Sequence, residues 1–264
     1  MPTYTRQPHP ALRRYVASIV GYDYRLDPAA VHHGLPSTTA TVVIAFDEPL
    51  DCGWFDTPAQ RRPFWTLIGG LHVRPSLIRT HGHQVGLQLG LTPSGLRWLT
   101  GLPAAESSGL LFDHNDLALL APGLHETLQS LGWRDRFALL EADLLRRLPA
   151  QPAAFSNELA HAWRRLTAPY PPSVTALAGE LGWSRRHLLT RFRHAYGPSP
   201  STVARLARFE RARHAVAHGL PLARVAAECG YFDQAHLNRE WREFAAATPT
   251  QTVQDFPSVQ APMP

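Results

Sequence analysis

Apolar and polar positions are spaced differently in the two parts of the chain. Up to about residue 91, apolar residues come in short runs rich in β-branched and aromatic side chains, the pattern of strands. Residues 38–46 (TTATVVIAF) are the clearest case, bounded by Pro36 and Pro49. Further strands are expected at 17–25, 64–68, 76–80 and 85–91, with Gly69-Gly70 and His81-Gly82-His83 as turns and a short helical entry at 9–15. After Thr92-Pro93 the period lengthens. Short helices are expected at 94–100, 116–120 and 124–131, followed by an amphipathic helix at 134–148 with Phe137, Leu140, Leu144, Leu145 and Leu148 on one stripe. That stripe suits either packing on its own domain or a homodimer face. Pro149–Pro152 (PAQP) reads as a boundary, 157–166 as a helix, Pro169–Pro172 as a break, and everything from Ser173 as mainly helical. The pattern is α+β: a strand-rich N-terminal domain at 1–150 with trailing helices, then an all-α domain at 156–256.

The all-α part contains two helix-turn-helix units joined by a helix. In the first, about 173–195, Val174, Leu177, Ala178 and Leu181 share one helix face. Gly182 supplies the turn, and Ser184 caps the next helix. In that helix (SRRHLLTRFRHA) Leu188 and Phe192 point inward. Arg186, Thr190 and Arg193 lie opposite, with Leu189 alongside and Arg185 and Arg191 flanking. Four arginines with no acid are unlike a merely solvated face, which mixes signs. In the second unit, about 222–244, Val225, Ala226 and Cys229 are inward, Gly230 makes the turn and Asp233 caps. Leu237, Trp241 and Phe244 pack inward; Gln234, Ala235, His236, Asn238, Arg239 and Arg242 face out. Gln and Asn suit adenine, Arg suits guanine or phosphate, and Ala tolerates the thymine methyl. Between the units Ser199 and Pro200 open a helix at about 199–217. Its nineteen residues make a rod of roughly 28 Å, loosely matching the about 34 Å between successive major-groove faces.

Charge and composition sharpen this picture. The chain has 264 residues, 44% hydrophobic, enough for two cores. Residues 1–150 carry 13 Arg against 13 acids, and 151–264 carry 13 Arg against 8, so the whole net charge of +5 lies in the C-terminal part. A polyanion is the natural partner. All 26 basic residues are Arg, which looks like the bias of a G+C-rich genome, so arginine frequency alone says nothing about nucleic acid. No apolar leader and no run of about 18 apolar residues appears, which points to a soluble cytoplasmic protein away from membranes. Two cysteines, Cys52 and Cys229, make neither a metal cluster nor a disulfide scaffold. Gly-x-Ser-x-Gly, phosphate-binding Gly loop, His-Glu-x-x-His and Cys-x-x-Cys are all missing, so no enzyme, catalytic residue or cofactor is expected. His32, His33, His72, His81 and His83 invite a cupin-like metal site, but without an acidic partner at fitting spacing the plainer reading is surface or turn histidines and no metal. Cys52 as a lone nucleophile has little in its favour. Trp54, Phe55, Phe64 and Trp65 are core or the lining of an apolar pocket.

Residues 182–188 (GWSRRHL), Phe192, Gly197 and Ser199-Pro200, then 225–234 (VAAECGYFDQ), 236–239 (HLNR) and Thr248-Pro249, resemble the AraC/XylS-type DNA-binding domain over about 173–251. Three positions depart from the family pattern: Trp241 for Phe, Ala246 for Gly and Thr252 for an aromatic. These imply a repacked core, an altered last turn and a weakened contact. The resemblance implies a bacterial regulator binding double-stranded DNA in two successive major grooves. Arg186, Leu189, Thr190 and Arg193 of the first unit would face the groove, and so would Gln234, Ala235, His236, Asn238 and Arg239 of the second. His187 reads as structural, and His236 as either a phosphate contact or helix support. The N-terminal part would sense a small-molecule effector and dimerise, with RNA polymerase as a partner if the protein activates. A constitutive binder with a purely dimerising N-terminal part, and a DNA-tethered enzyme, are the alternatives.

Overall fold

The computed structural model describes residues 3–255 apart from 29, 80, 118–119 and 150–154. The N-terminal region contains β1 (Thr3–Arg6), β2 (Val16–Arg25), β3 (Val31–Gly34), β4 (Ala40–Ala45), β5 (Leu50–Trp54), β6 (Arg62–Phe64), β7 (Thr66–Gly69), β8 (Ser76–Arg79), β9 (His83–Leu91) and β10 (Leu111–Asp113). Helices α1 (Pro93–Thr100), α2 (Ala104–Ser107), α3 (His114–Leu117), α4 (Leu124–Ser130) and α5 (Trp133–Arg146) belong to the same region. The C-terminal region is helical: α6 (Asn157–Thr167), α7 (Val174–Glu180), α8 (Arg185–Tyr196), α9 (Pro200–Ala217), α10 (Leu222–Cys229), α11 (Gln234–Ala245) and α12 (Pro249–Asp255).

The strands form two antiparallel sheets, ordered β1-β2-β9-β4-β7-β10 and β3-β8-β5-β6. The larger sheet is covered on both sides. Val42, Ile44, Ile68, Leu87 and Leu89 face the helices in one core, while Val20, Tyr22, Tyr24, Val43 and Leu67 face the smaller sheet in another. Burial on both faces explains why β4 reads as an unbroken apolar run instead of an alternation. The expected strand at 64–68 is two strands. Phe64 ends β6, which pairs with β5, and Thr66 starts β7, which pairs with β4, so the chain changes sheets at the exposed Trp65. Strands β3, β5 and β10 lack a β-branched run and escape the sequence pattern, and β1, a four-residue Thr-Tyr-Thr-Arg strand, escapes it too. The helix expected at 116–120 appears as α3, two residues earlier in its start, and residues 118–119 lie outside the described residues. The boundary expected at 149–152 falls, from 150 on, outside them too.

The stripe on α5 is used inside the chain: Phe137, Leu140 and Leu144 are buried in the core beneath the larger sheet. Two acids are buried on the same helix. Glu141 accepts a hydrogen bond from the His9 N–H at 2.8 Å and an ion pair from Arg6 at 2.6 Å, tying the N-terminal segment to α5. Asp143 pairs with Arg146 and Arg147 one turn on. Gly21 in β2 permits the close approach of α5, because a Cβ there would lie 2.4 Å from the Trp133 ring. We expect Gly21→Ala to cost about 1–3 kcal/mol through displacement of that indole, seen as a lower urea midpoint at unchanged m-value.

Candidate nucleic-acid interface

Each helix-turn-helix unit begins with local chemistry. Ser173 caps α7 by accepting from the Ala176 N–H, and Ser184 caps α8 by accepting from the His187 N–H at 3.1 Å. The turn between them passes through Gly182 at φ 66°, and its counterpart Gly230 has φ 79°, conformations that cost a side chain dearly. Asp233 caps α11 through the His236 N–H at 2.6 Å. The oxygens of Ser184 and Asp233 are therefore engaged in capping; the Ser184 hydroxyl can still donate to a phosphate, whereas the Asp233 carboxylate only accepts.

Leu188 and Phe192 of α8, and Leu237, Trp241 and Phe244 of α11, are buried, which leaves the opposite faces to solvent. On α8, Arg185, Arg186, Thr190, Arg191 and Arg193 are exposed and Leu189 is half-buried. On α11, Gln234, Ala235, Arg239 and Arg242 are exposed, with His236 and Asn238 half-buried. Among the described residues, Arg185, Arg186, Arg193, Arg239 and Arg242 make no ion pair. Elsewhere in the same region several arginines are matched, Arg165 with Glu180, Arg224 with Glu228, Arg205 and Arg208 with Glu240, while Arg211 donates to the Thr167 and Pro169 carbonyls. Cationic groups left unmatched gather on the two outward helix faces, the electrostatic footprint of a polyanion site.

Two of the outward residues have internal tasks. The His236 ring accepts from the Phe232 N–H through Nδ1 at 3.3 Å and meets Tyr231 edge-on, so it braces the first turn of α11. The Oδ1 of Asn238 is buried and has no hydrogen-bond partner, so bidentate bonding to adenine requires its amide to rotate. His187 packs edge-on against Trp183, a structural contact.

The connecting helix α9 has 18 residues, roughly 27 Å at the usual rise, and it joins two separate cores. Its first turns, with Val203, belong to the core that also contains α6, α7, α8 and the helices under the larger sheet. From Leu206 onward it packs with α10 and α11 in a second core. The first unit is thus continuous with the N-terminal region, helped by α2, whose Ser108 flank leaves no room for a Cβ at Gly197. The second unit is fixed to α9 by Glu240. Its carboxylate, 3% exposed, receives Arg205 Nε at 2.8 Å and Arg208 Nη2 at 2.7 Å. Arg208 also lies 4.5 Å over the Tyr231 ring. Burial alone raises the Glu240 carboxyl pKa, but the hydrogen bonds and charges of Arg208 and Arg205 outweigh it and hold the group below its ordinary value.

Two of the three departures from the family pattern meet in space. The Trp241 indole N–H donates to Thr252 Oγ1 at 2.9 Å, and that hydroxyl donates to the Thr248 carbonyl at 2.8 Å. Thr252 therefore replaces a packing contact with a hydrogen bond that the larger Trp241 needs, a correction to the weakened contact expected from sequence. The third, Ala246, ends α11 at φ 53°, the sole non-glycine residue with positive φ among those described.

In the N-terminal region the histidines take separate partners. His33 Nδ1 donates to the Ala245 carbonyl, His72 Nδ1 to the Arg74 carbonyl, and His83 sits between Asp23 and Asp47. Among the described residues no three His, Cys, Asp or Glu side chains stand together as a metal set. Burial pushes the Cys52 thiol up to about 12, which removes it as a nucleophile. Of the four aromatics read as core or pocket lining, Trp54 and Phe64 are buried, in line with the core reading, and Phe55 and Trp65 are exposed. The cavity between the sheets is lined instead by Tyr22, Tyr24, His32, His72 and Gln84. A second cavity, about 370 Å³, lies where Thr38 and Gln88 face Glu210, Arg211 and His214. Among the described residues no helix is long and apolar enough to cross a membrane.

Residues 177–255 match a model of a helix-turn-helix domain. The whole chain is similar in fold to ToxT from Vibrio cholerae O395, with TM-score 0.54, 12% identity, and coverage of 91% of this chain and 99% of that one. A structure of wild-type ToxT from Vibrio cholerae strain SCE256 bound to an unsaturated fatty acid gives TM-score 0.55 at 10% identity, covering 96% and 99%. An AraC-type DNA-binding domain-containing regulator from Chromobacterium violaceum is 25% identical over 37% of this chain and 89% of its own, with TM-score 0.35. No curated protein sequence is similar enough to count as a match.

Two expectations follow from the joints of the second unit. Glu240→Gln should cost about 2–3 kcal/mol by weakening charge-assisted bonds that are partly open to water. Because the folded carboxyl pKa is depressed, its stabilisation is complete above about 4.3 and is lost as pH falls through the lower folded value. Acid titration of the wild type should thus be steeper in that window than that of Glu240→Gln. Ala246→Gly should raise stability by about 0.5–1 kcal/mol by relieving the left-handed conformation, measured by thermal unfolding.

Proposed function

We propose that the chain is a DNA-binding transcriptional regulator of the AraC/XylS type, built on the helix-turn-helix domain at 177–255, and that α8 and α11 read two successive major grooves of one duplex. The observation that carries this is the sorting of arginines: those on the outward faces of α8 and α11 stand without acidic partners, while Arg165, Arg205, Arg208 and Arg224 elsewhere in the domain are paired with acids. Arg186, Leu189, Thr190 and Arg193 are assigned to the first groove, and Gln234, Ala235, Asn238 and Arg239 to the second. Arg185 and Arg242 take flanking phosphates. Ser184 and Asp233 present the helix N-termini, whose backbone N–H groups favour phosphate. His236 is assigned to helix support.

We further propose that residues 1–150 form the effector-sensing part and 156–256 the DNA-reading part. The fold shared with ToxT, one structure of which holds an unsaturated fatty acid, supports a small-molecule role for the N-terminal region. The protein acts without catalysis or cofactor, in the cytoplasm, with RNA polymerase as partner where it activates. Homodimer formation would have to use a surface other than the buried stripe of α5.

Selection of bound sequences from a random DNA pool tests the reading. The expected site is asymmetric, with two recognised segments one helical turn apart. Arg186→Ala should weaken binding by about 1–3 kcal/mol and relax preference at one position. Uniform weakening across sequences would assign Arg186 to a phosphate. Binding should fall with salt at a log–log slope of about −0.9 per phosphate neutralised. A protein that shows no sequence preference at moderate ionic strength would overturn the proposal.

A further inference from the structure

The cavity between the two sheets is about 70 Å³, half of the about 150 Å³ that accepts a benzene ring in a dry protein interior. Its walls are mostly aliphatic, with Tyr22, Tyr24, Gln84 and Gln88 supplying polar atoms on one side. None of the described lining residues is Asp, Glu or Arg. Burial pushes His32 and His72 down to about 4, so both rings are neutral at pH 7. His72 commits its Nδ1–H to the Arg74 carbonyl at 2.7 Å, which leaves Nε2 as an acceptor. An ion placed here would be buried without a counter-charge, whereas a hydroxyl finds both donors and acceptors.

A ring-sized guest must move a wall, and one wall is weaker than the rest. Strands β4 and β9 are hydrogen-bonded on both sides, but β3 is an edge strand of four residues paired with β8 alone. Successive residues of β3 point to opposite faces. His32 and Gly34 line the cavity. His33, between them, faces outward and donates from Nδ1 to the Ala245 carbonyl at 2.8 Å, the last residue of α11. Leu35 lies at the cavity rim and is buried in the core of the second helix-turn-helix unit. Three residues on, Thr38 Oγ1 donates at 2.7 Å to Glu210 of α9. The segment that closes the cavity is therefore a strap holding the second unit, while the first unit shares its core with the rest of the N-terminal region.

Taking the sensing role proposed above as its basis, we propose that the cavity between the sheets takes a small uncharged molecule with a ring-sized apolar body and one hydrogen-bonding group, and that β3 passes its arrival to the second helix-turn-helix unit. Binding widens the cavity at β3, shifts His33 and Leu35, and changes the position of α11 relative to α8.

Phenol, cyclohexanol and benzoate test the site on the full-length protein. Phenol or cyclohexanol should raise the Tm in a concentration-dependent way, by mass action on the folded state, and benzoate should not. Gln84→Leu and the cavity-filling Val43→Phe should each reduce the shift; the first keeps the proposal testable should the second fail to fold. With a DNA site chosen by selection, the uncharged probe should change wild-type affinity by about fivefold or more. His33→Ala and Thr38→Ala should still show the Tm shift while their DNA affinity changes by less than about twofold on adding the probe. No shift from either uncharged probe, a larger shift from benzoate, or a shift lost in Arg211→Ala but kept in Gln84→Leu overturns the cavity assignment. An unchanged DNA response in both strap variants overturns the relay. A protein that selects no DNA site overturns the sensing role, and the thermal shifts then still decide the cavity.

Discussion

The carboxylate of Glu240 lies buried between two arginines of the connecting helix, and the geometry of DNA reading depends on it. A helix-turn-helix unit standing alone has a small core, with few ways to fix its angle against its neighbour. Here Arg205 and Arg208 approach one carboxylate from successive turns of α9, and Arg208 also covers the Tyr231 ring at the start of α11. The pairing sets both the rotation and the position of α11 about the rod. Removing either partner leaves charge in a half-dry site, so the arrangement resists local change. Two recognition helices can share a duplex only if the body between them is stiff, and this joint supplies stiffness where the hydrophobic cores are divided.

That division gives the molecule an asymmetry. One core runs from the larger sheet through α5 and α6 into the first unit, and another holds the second unit with Leu35 as its one buried contribution from the strand region. The first unit shares its core with the N-terminal region, and the second has a core of its own. Coupling between a sensing region and a DNA-reading one requires an element with two arrangements that both sites bias. Here the short β3 segment and α9 are the elements in contact with both.

Much of the DNA-reading region was legible in the chain because its determinants are local. Ser184, Asp233, Gly182 and Gly230 act through their own backbone, and Leu188, Phe192, Leu237 and Trp241 recur at helical spacing. The paired strands 17–25, 38–46 and 85–91 were legible for the same reason, being long and rich in β-branched residues. Strands β3 and β5 were not. Val31–Gly34 and Leu50–Trp54 owe their extended form to partners such as β8, far along the chain, so polar and glycine residues sit where propensity argues for a loop. The cavity was hidden likewise, since Tyr22 and His72 come together through sheet packing alone. Glu240 carries no mark in the sequence, because its role depends on Arg205 and Arg208, more than thirty residues upstream.

The hydrogen bond from Trp241 to Thr252 has a consequence for how this chain can vary. A tryptophan in that core brings an N–H that must find an acceptor, and the acceptor comes from the terminal helix. Restoring an aromatic at 252 while keeping the indole would strand a donor in an apolar setting, and restoring phenylalanine at 241 would leave the hydroxyl serving nothing but its own helix. The two sites are coupled: exchange at either alone loses the hydrogen bond, and α12 is thereby bound into the reading head it follows.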